Sequence, residues 1–327
     1  MLFRSGNVTV SCYANQPPST GSVLPQVPAG FTGAPFGFVS SMPAFQTPSA
    51  VAPTLPQNGQ FWLESGYNQS PFLLQWWLDR QLDLDSQQKH QVKGELRQLL
   101  AWHRQTQLPV IAHSVRQLAD AAPQELSVAQ TCAFQEAVWQ SLPTLAQQAS
   151  RHLARLALSL RPEQLAHMSR HLSQEDESWR EEWLDGSAEE RLKRRHKKAL
   201  GHLEDHYGRL DGEQRQALRQ LLQRSPYDPE LAWQARQRRQ RDLLDTLERI
   251  RSLQPDADTA QLWLSEMYAR MLNPPVEEHR LHQARNLRFV CEGLSHMHAL
   301  MREDQRLKAQ NALMQRQQAL TRLLASN

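Results

Sequence analysis

Apolar residues recur at three- and four-residue steps from Phe61 onward, and that period leaves room for little except packed amphipathic helices. Val92, Leu96, Leu99 and His103 make one stripe, and Leu108, Ile111, Val115 and Leu118 a second. The longest runs through Leu192, His196, Ala199, Leu203, Tyr207 and Leu210, and Leu243, Leu247, Ile250, Ala260, Leu264, Met267 and Met271 continue the pattern. No stretch alternates apolar and polar residues over strand length. The gaps between stripes are short, so neighbouring helices are expected to fold back on one another. The expected fold is all-α: an elongated array or bundle of about ten antiparallel amphipathic helices over 61–327, behind a disordered N-terminal tail.

That tail, residues 1–60, differs sharply in composition. Arg4 is its one charged side chain, and it holds nine of the 19 prolines and six of the 13 glycines. Such a segment buries too little surface to offset its ordering entropy. It also fails as a secretory signal, because Arg4-Ser5-Gly6-Asn7 interrupts the apolar stretch that a signal needs. Leu2-Phe3-Arg4-Ser5 is what the end of a common sequencing adapter encodes, which makes part of 1–60 a candidate artefact and the native start a missing piece.

Composition excludes several function classes. With 37 basic and 34 acidic side chains the chain lacks the basic excess of a dedicated nucleic-acid binder. No apolar run reaches the ~20 residues that a bilayer-spanning helix needs. Glycine is scarce and no Gly-rich phosphate loop occurs. Cys12, Cys132 and Cys291 form no CxxC pair, and Cys132 and Cys291 read as small core residues, the common role of free cysteine.

A helix-start motif recurs. Leu84-Asp85-Ser86-Gln87-Gln88, Leu126-Ser127-Val128-Ala129-Gln130, Leu160-Arg161-Pro162-Glu163-Gln164 and Leu210-Asp211-Gly212-Glu213-Gln214 share the form Leu-x-x-x-Gln. Leucine packs back as a staple, Asp or Ser caps a free N–H, and Gln returns a hydrogen bond to the cap. Arg161 is a poor cap, while Pro162 suits the first helical position. Ser187 to Glu190 forms a further box, and Leu294-Ser295-His296-Met297-His298 occupies a similar slot without the glutamine. Spacings of 42, 34 and 50 residues are too uneven for a regular solenoid.

Tyr67-Asn68, Leu73-Leu74-Gln75-Trp76-Trp77-Leu78-Asp79, Leu82-Asp83-Leu84 and Gln88 together resemble the opening of an uncharacterised family of proteobacterial lipoproteins. Trp102-His103-Arg104 with Leu108-Pro109, and Arg180 to Ser187 with Glu189-Glu190-Arg191, extend the resemblance over roughly 61–325. It implies a periplasm-facing, lipid-anchored location in the Gram-negative envelope and no established activity. The tail stands where such proteins carry their lipidated cysteine. The Leu-x-x-x-Gln copies also look like the LTxxQ motifs of the Spy and CpxP type of periplasmic chaperone.

Candidate sites are few. His167 with His171, and His202 with His206, lie four apart on single helix faces, a spacing that holds zinc when a third ligand converges. Surface or seam positions are the ordinary role of such pairs, so no metal and no cofactor is expected. No nucleophile elbow appears. Acid before base around the block Arg191, Lys193, Arg194, Arg195, Lys197 and Lys198 reads as a solvated face. Trp179 and Trp183 share a stripe and read as core. Tyr67, Trp76, Trp77, Trp102, His103 and Arg104 are the candidates for contact with a partner or membrane, since adjacent tryptophans diverge by about 100° on a helix. The expected function is a non-enzymatic envelope scaffold or chaperone-like factor that meets envelope proteins or unfolded clients. The alternative is a metal-dependent envelope enzyme built on one histidine pair.

Overall fold

A computed structural model describes residues 59–325, with side chains from Gly66 onward. The expectations for the tail, its missing signal, the adapter-like start and Cys12 lie outside the described residues, apart from Gly59 and Gln60, which open the first helix. The described residues form eleven α-helices and no strand. They are α1 Gly59–Leu82, α2 Ser86–Thr106, α3 Leu108–Ala121, α4 Val128–Leu158, α5 Pro162–Trp183, α6 Ala188–Tyr207, α7 Gly212–Gln223, α8 Pro229–Leu253, α9 Ala257–Leu272, α10 Glu277–Ala299 and α11 Glu303–Ala325.

Three apolar clusters hold them together. The first joins α2, α4, α5, α8 and α9 through residues such as Leu96, Ala149, Leu156, Met168, Ile250 and Met267. The second sets Tyr67 of α1 and the Leu108–Leu118 stripe of α3 against Leu313, Leu320 and Leu323 of α11. The third packs Leu203 and Tyr207 of α6 with Leu218 of α7, Met297 of α10 and Ala309 of α11. The last helix thus covers the first and third of the opening helices, and α4 lies along α9.

The repeated helix starts do more than cap. Where an acid caps, the full box forms: Asp85 and Asp211 accept from the Gln88 and Gln214 N–H groups at 2.9 Å, and the glutamine Oε1 atoms accept the Asp85 and Asp211 N–H groups in return. The glutamine amides then pair across the fold. Gln88 Nε2 donates to Gln164 Oε1 at 3.2 Å, and Gln164 Nε2 donates to Gln88 Oε1 at 2.8 Å. Their remaining N–H groups reach the Ser159 and Asp83 carbonyls at 3.0 and 3.1 Å.

The same wiring recurs between α7 and α11. Gln214 donates to Gln305 Oε1 at 2.7 Å, Gln305 donates back at 3.1 Å, and the outer N–H groups meet the Leu300 and Arg209 carbonyls. In each pair one helix brings an Asp cap and the other an arginine: Arg161 bonds Asp85 at 2.6 Å and Arg302 bonds Asp211 at 2.9 Å. Arg161 is therefore a poor cap with a different task, because it crosses to the partner helix's acid. Met301-Arg302-Glu303-Asp304-Gln305 is the matching copy, with Met for Leu. The slot at Leu294 to His298 lies inside α10 and starts no helix. Gln130 keeps its box with Ser127 but stays exposed and has no such amide pairing.

Cys132 of α4 and Cys291 of α10 are joined by a disulfide across 159 residues, which corrects the expectation of two free core thiols. Beside the bridge the Thr131 hydroxyl donates to the Cys291 carbonyl at 2.8 Å. Nearby, buried His298 is held neutral: the Tyr207 hydroxyl donates to Nδ1 at 2.8 Å and Nε2–H donates to the Gln124 carbonyl at 2.7 Å.

Truncating one glutamine of a pair leaves buried amide groups without partners. Gln88→Ala and Gln164→Ala should each lower stability by about 2–3 kcal/mol. The double variant should lose at least ~1 kcal/mol less than the sum of the two, because the second truncation removes an already broken pair. Urea unfolding of all four chains measures this, and strict additivity would show that the amides do not couple.

Candidate functional site

The tight α5–α6 turn builds the most developed site. Gly186, in the left-handed region at φ 86°, reverses the chain, and Ser187 and Glu190 cap α6. Arg191 then donates to the Leu184 carbonyl at 3.1 Å and to the Gly186 carbonyl, and Arg194 donates to the carbonyls of Glu182 (2.8 Å) and Asp185. Two members of the basic block thus satisfy the open C-terminal end of α5, where cations suit the dipole. Lys198 pairs with Glu182 and lies over the Trp183 ring, 4.8 Å from its centroid. Arg195 turns inward. The solvated face expected for the block is therefore only part of its role.

Behind this turn a cleft of about 120 Å³ opens between α5, α6, α7 and α10. Leu203, Leu218, Leu221, Leu222, Phe289, Val290, Leu294 and Met297 supply its apolar wall, with Trp179, Trp183 and Tyr227 at one side. Arg195 and Lys198 bring the positive groups, and His202 an imidazole. Trp183 and Tyr227 meet edge to face at 6.0 Å, and the Arg195 guanidinium sits 5.1 Å from the Tyr227 centroid. A Cβ on Gly293 would come 3.1 Å from Leu221 Cδ2, so Leu221 lies directly on the α10 backbone. Burial holds Arg195 below the usual arginine range. The cleft's chemistry is that of recognition: aromatic faces, leucine methyls and a guanidinium.

The histidine pairs bond mainly to carbonyls, and one member, His202, reaches the cleft. His167 and His171 rings stand 4.7 Å apart, and His167 Nε2 bonds the Arg80 carbonyl at 3.0 Å. His206 uses Nδ1 on the His202 carbonyl at 2.9 Å and Nε2 toward Arg316, while His202 lines the cleft. Among the described residues no three His, Cys, Asp or Glu side chains come together as metal ligands. Trp179 is buried and stacks on Trp233 at 5.5 Å, as a core residue should. Trp183 is half-buried and borders the cleft, a role its stripe did not signal.

The contact candidates divide. Tyr67, 3% exposed, is clamped between α1 and α2. Burial raises its phenol to about 12 and lowers His103 to about 4, so the neutral phenol donates to the neutral imidazole Nδ1 at 2.9 Å. Arg104 lies over the Tyr67 ring at 5.4 Å and donates to Asn68 Oδ1 at 2.7 Å. Tyr67, His103 and Arg104 are thus brought together as an internal clamp. Trp76, Trp77 and Trp102 are half-buried, with Arg80 5.8 Å from the Trp76 ring. No helix among the described residues is long and apolar enough to cross a membrane.

Because the folded-state value of His103 lies below its ordinary 6.5, the unfolded chain takes up the proton first. Its contribution is complete above pH 6.5 and is lost as the pH falls toward about 4. The shift corresponds to about 3 kcal/mol. Unfolding followed from pH 7 to 4 should show this loss, with the His103 ring titrating near 4 by NMR. A midpoint at 6.5 would show that the ring is open to water.

Residues 80–267, more than half of the chain, match the model of a family of unknown function, DUF6279. The match runs from the end of α1 into α9 and takes in the first glutamine pair and the α5–α6 turn. Neither a curated protein nor a solved structure matches the chain. The chain belongs to the DUF6279 family.

Proposed function

We propose that this chain is a non-enzymatic, chaperone-like binding factor of the Gram-negative cell envelope, a helical scaffold that holds a polypeptide partner at the cleft between α5, α6, α7 and α10. The cleft carries the reading: it combines tryptophan, tyrosine and leucine surface with a positive rim, the composition that protein-binding hot spots favour. The Cys132–Cys291 disulfide supports an envelope location, since such bridges persist in oxidising compartments and are rare in the cytosol. A lipid anchor close to the bilayer, implied by the lipoprotein resemblance, would keep the cleft within reach of newly exported chains.

A photo-crosslinking residue at Phe289 in the full chain should capture protein in intact cells, whereas one at the exposed Leu253, outside the cleft, should not. The purified chain should also slow aggregation of an unfolded client. Equal capture from both positions, with no effect on aggregation, would sink the reading. The location has its own measurement. In chain recovered from cells Cys132 and Cys291 should resist alkylation until reduced, and replacing both with alanine should cost about 2–4 kcal/mol of stability. Two freely labelled thiols would exclude the oxidising compartment.

A further inference from the structure

We infer that the cleft between α5, α6, α7 and α10 is an acid-recognition pocket, which takes one apolar group of ring or isobutyl size with its carboxylate on Arg195. This rests on reading the cleft as a binding site and adds its ligand chemistry. Size sets the first limit. At about 120 Å³ the space is near the roughly 150 Å³ of an apolar cavity that admits benzene, so it holds one side-chain-sized group and no helix or long acyl chain. Its walls of Leu203, Leu218, Leu222 and Phe289 suit a hydrocarbon.

Charge sets the second limit. Lys193 and Lys197 are exposed, and the half-buried cations around the α5–α6 turn are committed one by one. Arg191 and Arg194 hold backbone carbonyls, and Lys198 is neutralised by Glu182. Arg195 is the exception: among the described residues no carboxylate lies within ion-pair distance of it, and its contact is the face of Tyr227. That ring holds the guanidinium in place against the cleft while leaving its donors for an incoming group. Burial adds a demand for an anion, since a half-buried cation without a counter-charge is costly. A guanidinium beside a small apolar pocket fits a carboxylate bidentately with opposite charge, meets a neutral amide only through its one carbonyl oxygen, and repels an ammonium.

Two sources present this chemistry: a small free acid, or the last residue of a polypeptide with its terminal carboxylate. Calorimetry on the oxidised full chain should use 3-phenylpropionate, 3-phenylpropanamide, and a hexapeptide ending in Phe as free acid and as amide. Each acid should bind at least tenfold tighter than its amide. Arg195→Gln should erase that difference, and Ala199→Trp should block all four probes. Ala199→Leu provides a milder block should the tryptophan prevent folding, which circular dichroism reports. A peptide acid tighter than phenylpropionate assigns the site to polypeptide ends, and the reverse assigns it to small acids. Acid and amide binding equally would overturn the acid recognition yet leave the binding cleft standing. No binding by any probe, or binding unchanged in the blocked variants, would overturn both.

Discussion

A buried primary amide has two donors and two acceptor positions to satisfy, and in this protein that requirement decides which helix ends meet. Gln88 with Gln164, and Gln214 with Gln305, close the requirement only as pairs, each glutamine serving its own helix cap and its partner at once. Local capping chemistry is thereby converted into a long-range contact between segments 76 and 91 residues apart. The cleft depends on it. Gln164 fixes the start of α5, whose far end brings Trp179 and Trp183, and Gln214 ties the start of α7 to the Leu300 carbonyl at the end of α10.

Charge follows the same logic of local need before long-range use. Arg161 and Arg302 would leave their own helix starts uncapped, but each meets the Asp that caps the opposite helix. The Asp85 carboxyl is held below its ordinary range chiefly by the Gln88 N–H, with Arg161 adding to it. In α8, which carries Arg236, Arg238, Arg239 and Arg241, Arg236 is buried against Asp176 at 2.6 Å, with Gln240 on the same oxygen. A near-neutral total charge therefore reflects many individual pairings, and the cation facing the cleft stands out against that background.

The period of the apolar residues made the helices legible, and the Leu-x-x-x-Gln repeats made their starts legible, including the buried leucines at 84, 126, 160 and 210. What they left open is pairing. A capping box looks the same whether its glutamine faces water, as at Gln130, or another glutamine, as at Gln88. Met301 in the leucine's place hides the fifth copy, although Arg302 and Gln305 repeat Arg161 and Gln164. Cys132 and Cys291 carried no spacing signal at 159 residues apart. Trp179 and Trp183 share one stripe and both reach the cleft, yet the first is buried against Trp233 while the second stays half-buried at the cleft's side, because the neighbouring residues are what distinguish them.

The family match ends inside α9, and that boundary separates two kinds of feature. The first glutamine pair, the α5–α6 turn and Arg195 lie within the matched residues. The second pair needs α11, the disulfide needs Cys291, and the cleft needs Phe289 and Leu294 of α10. The matched residues carry the inward-facing arginine, while the wall that turns its surroundings into a pocket comes from α10. Without α10, Arg195 and Tyr227 would lie on an open face, where water rather than leucine surrounds the guanidinium and a carboxylate gains little by meeting it. The recognition proposed for this site therefore depends on α10, which is pinned at Cys291 by the crosslink to α4 and at its end by Gln214.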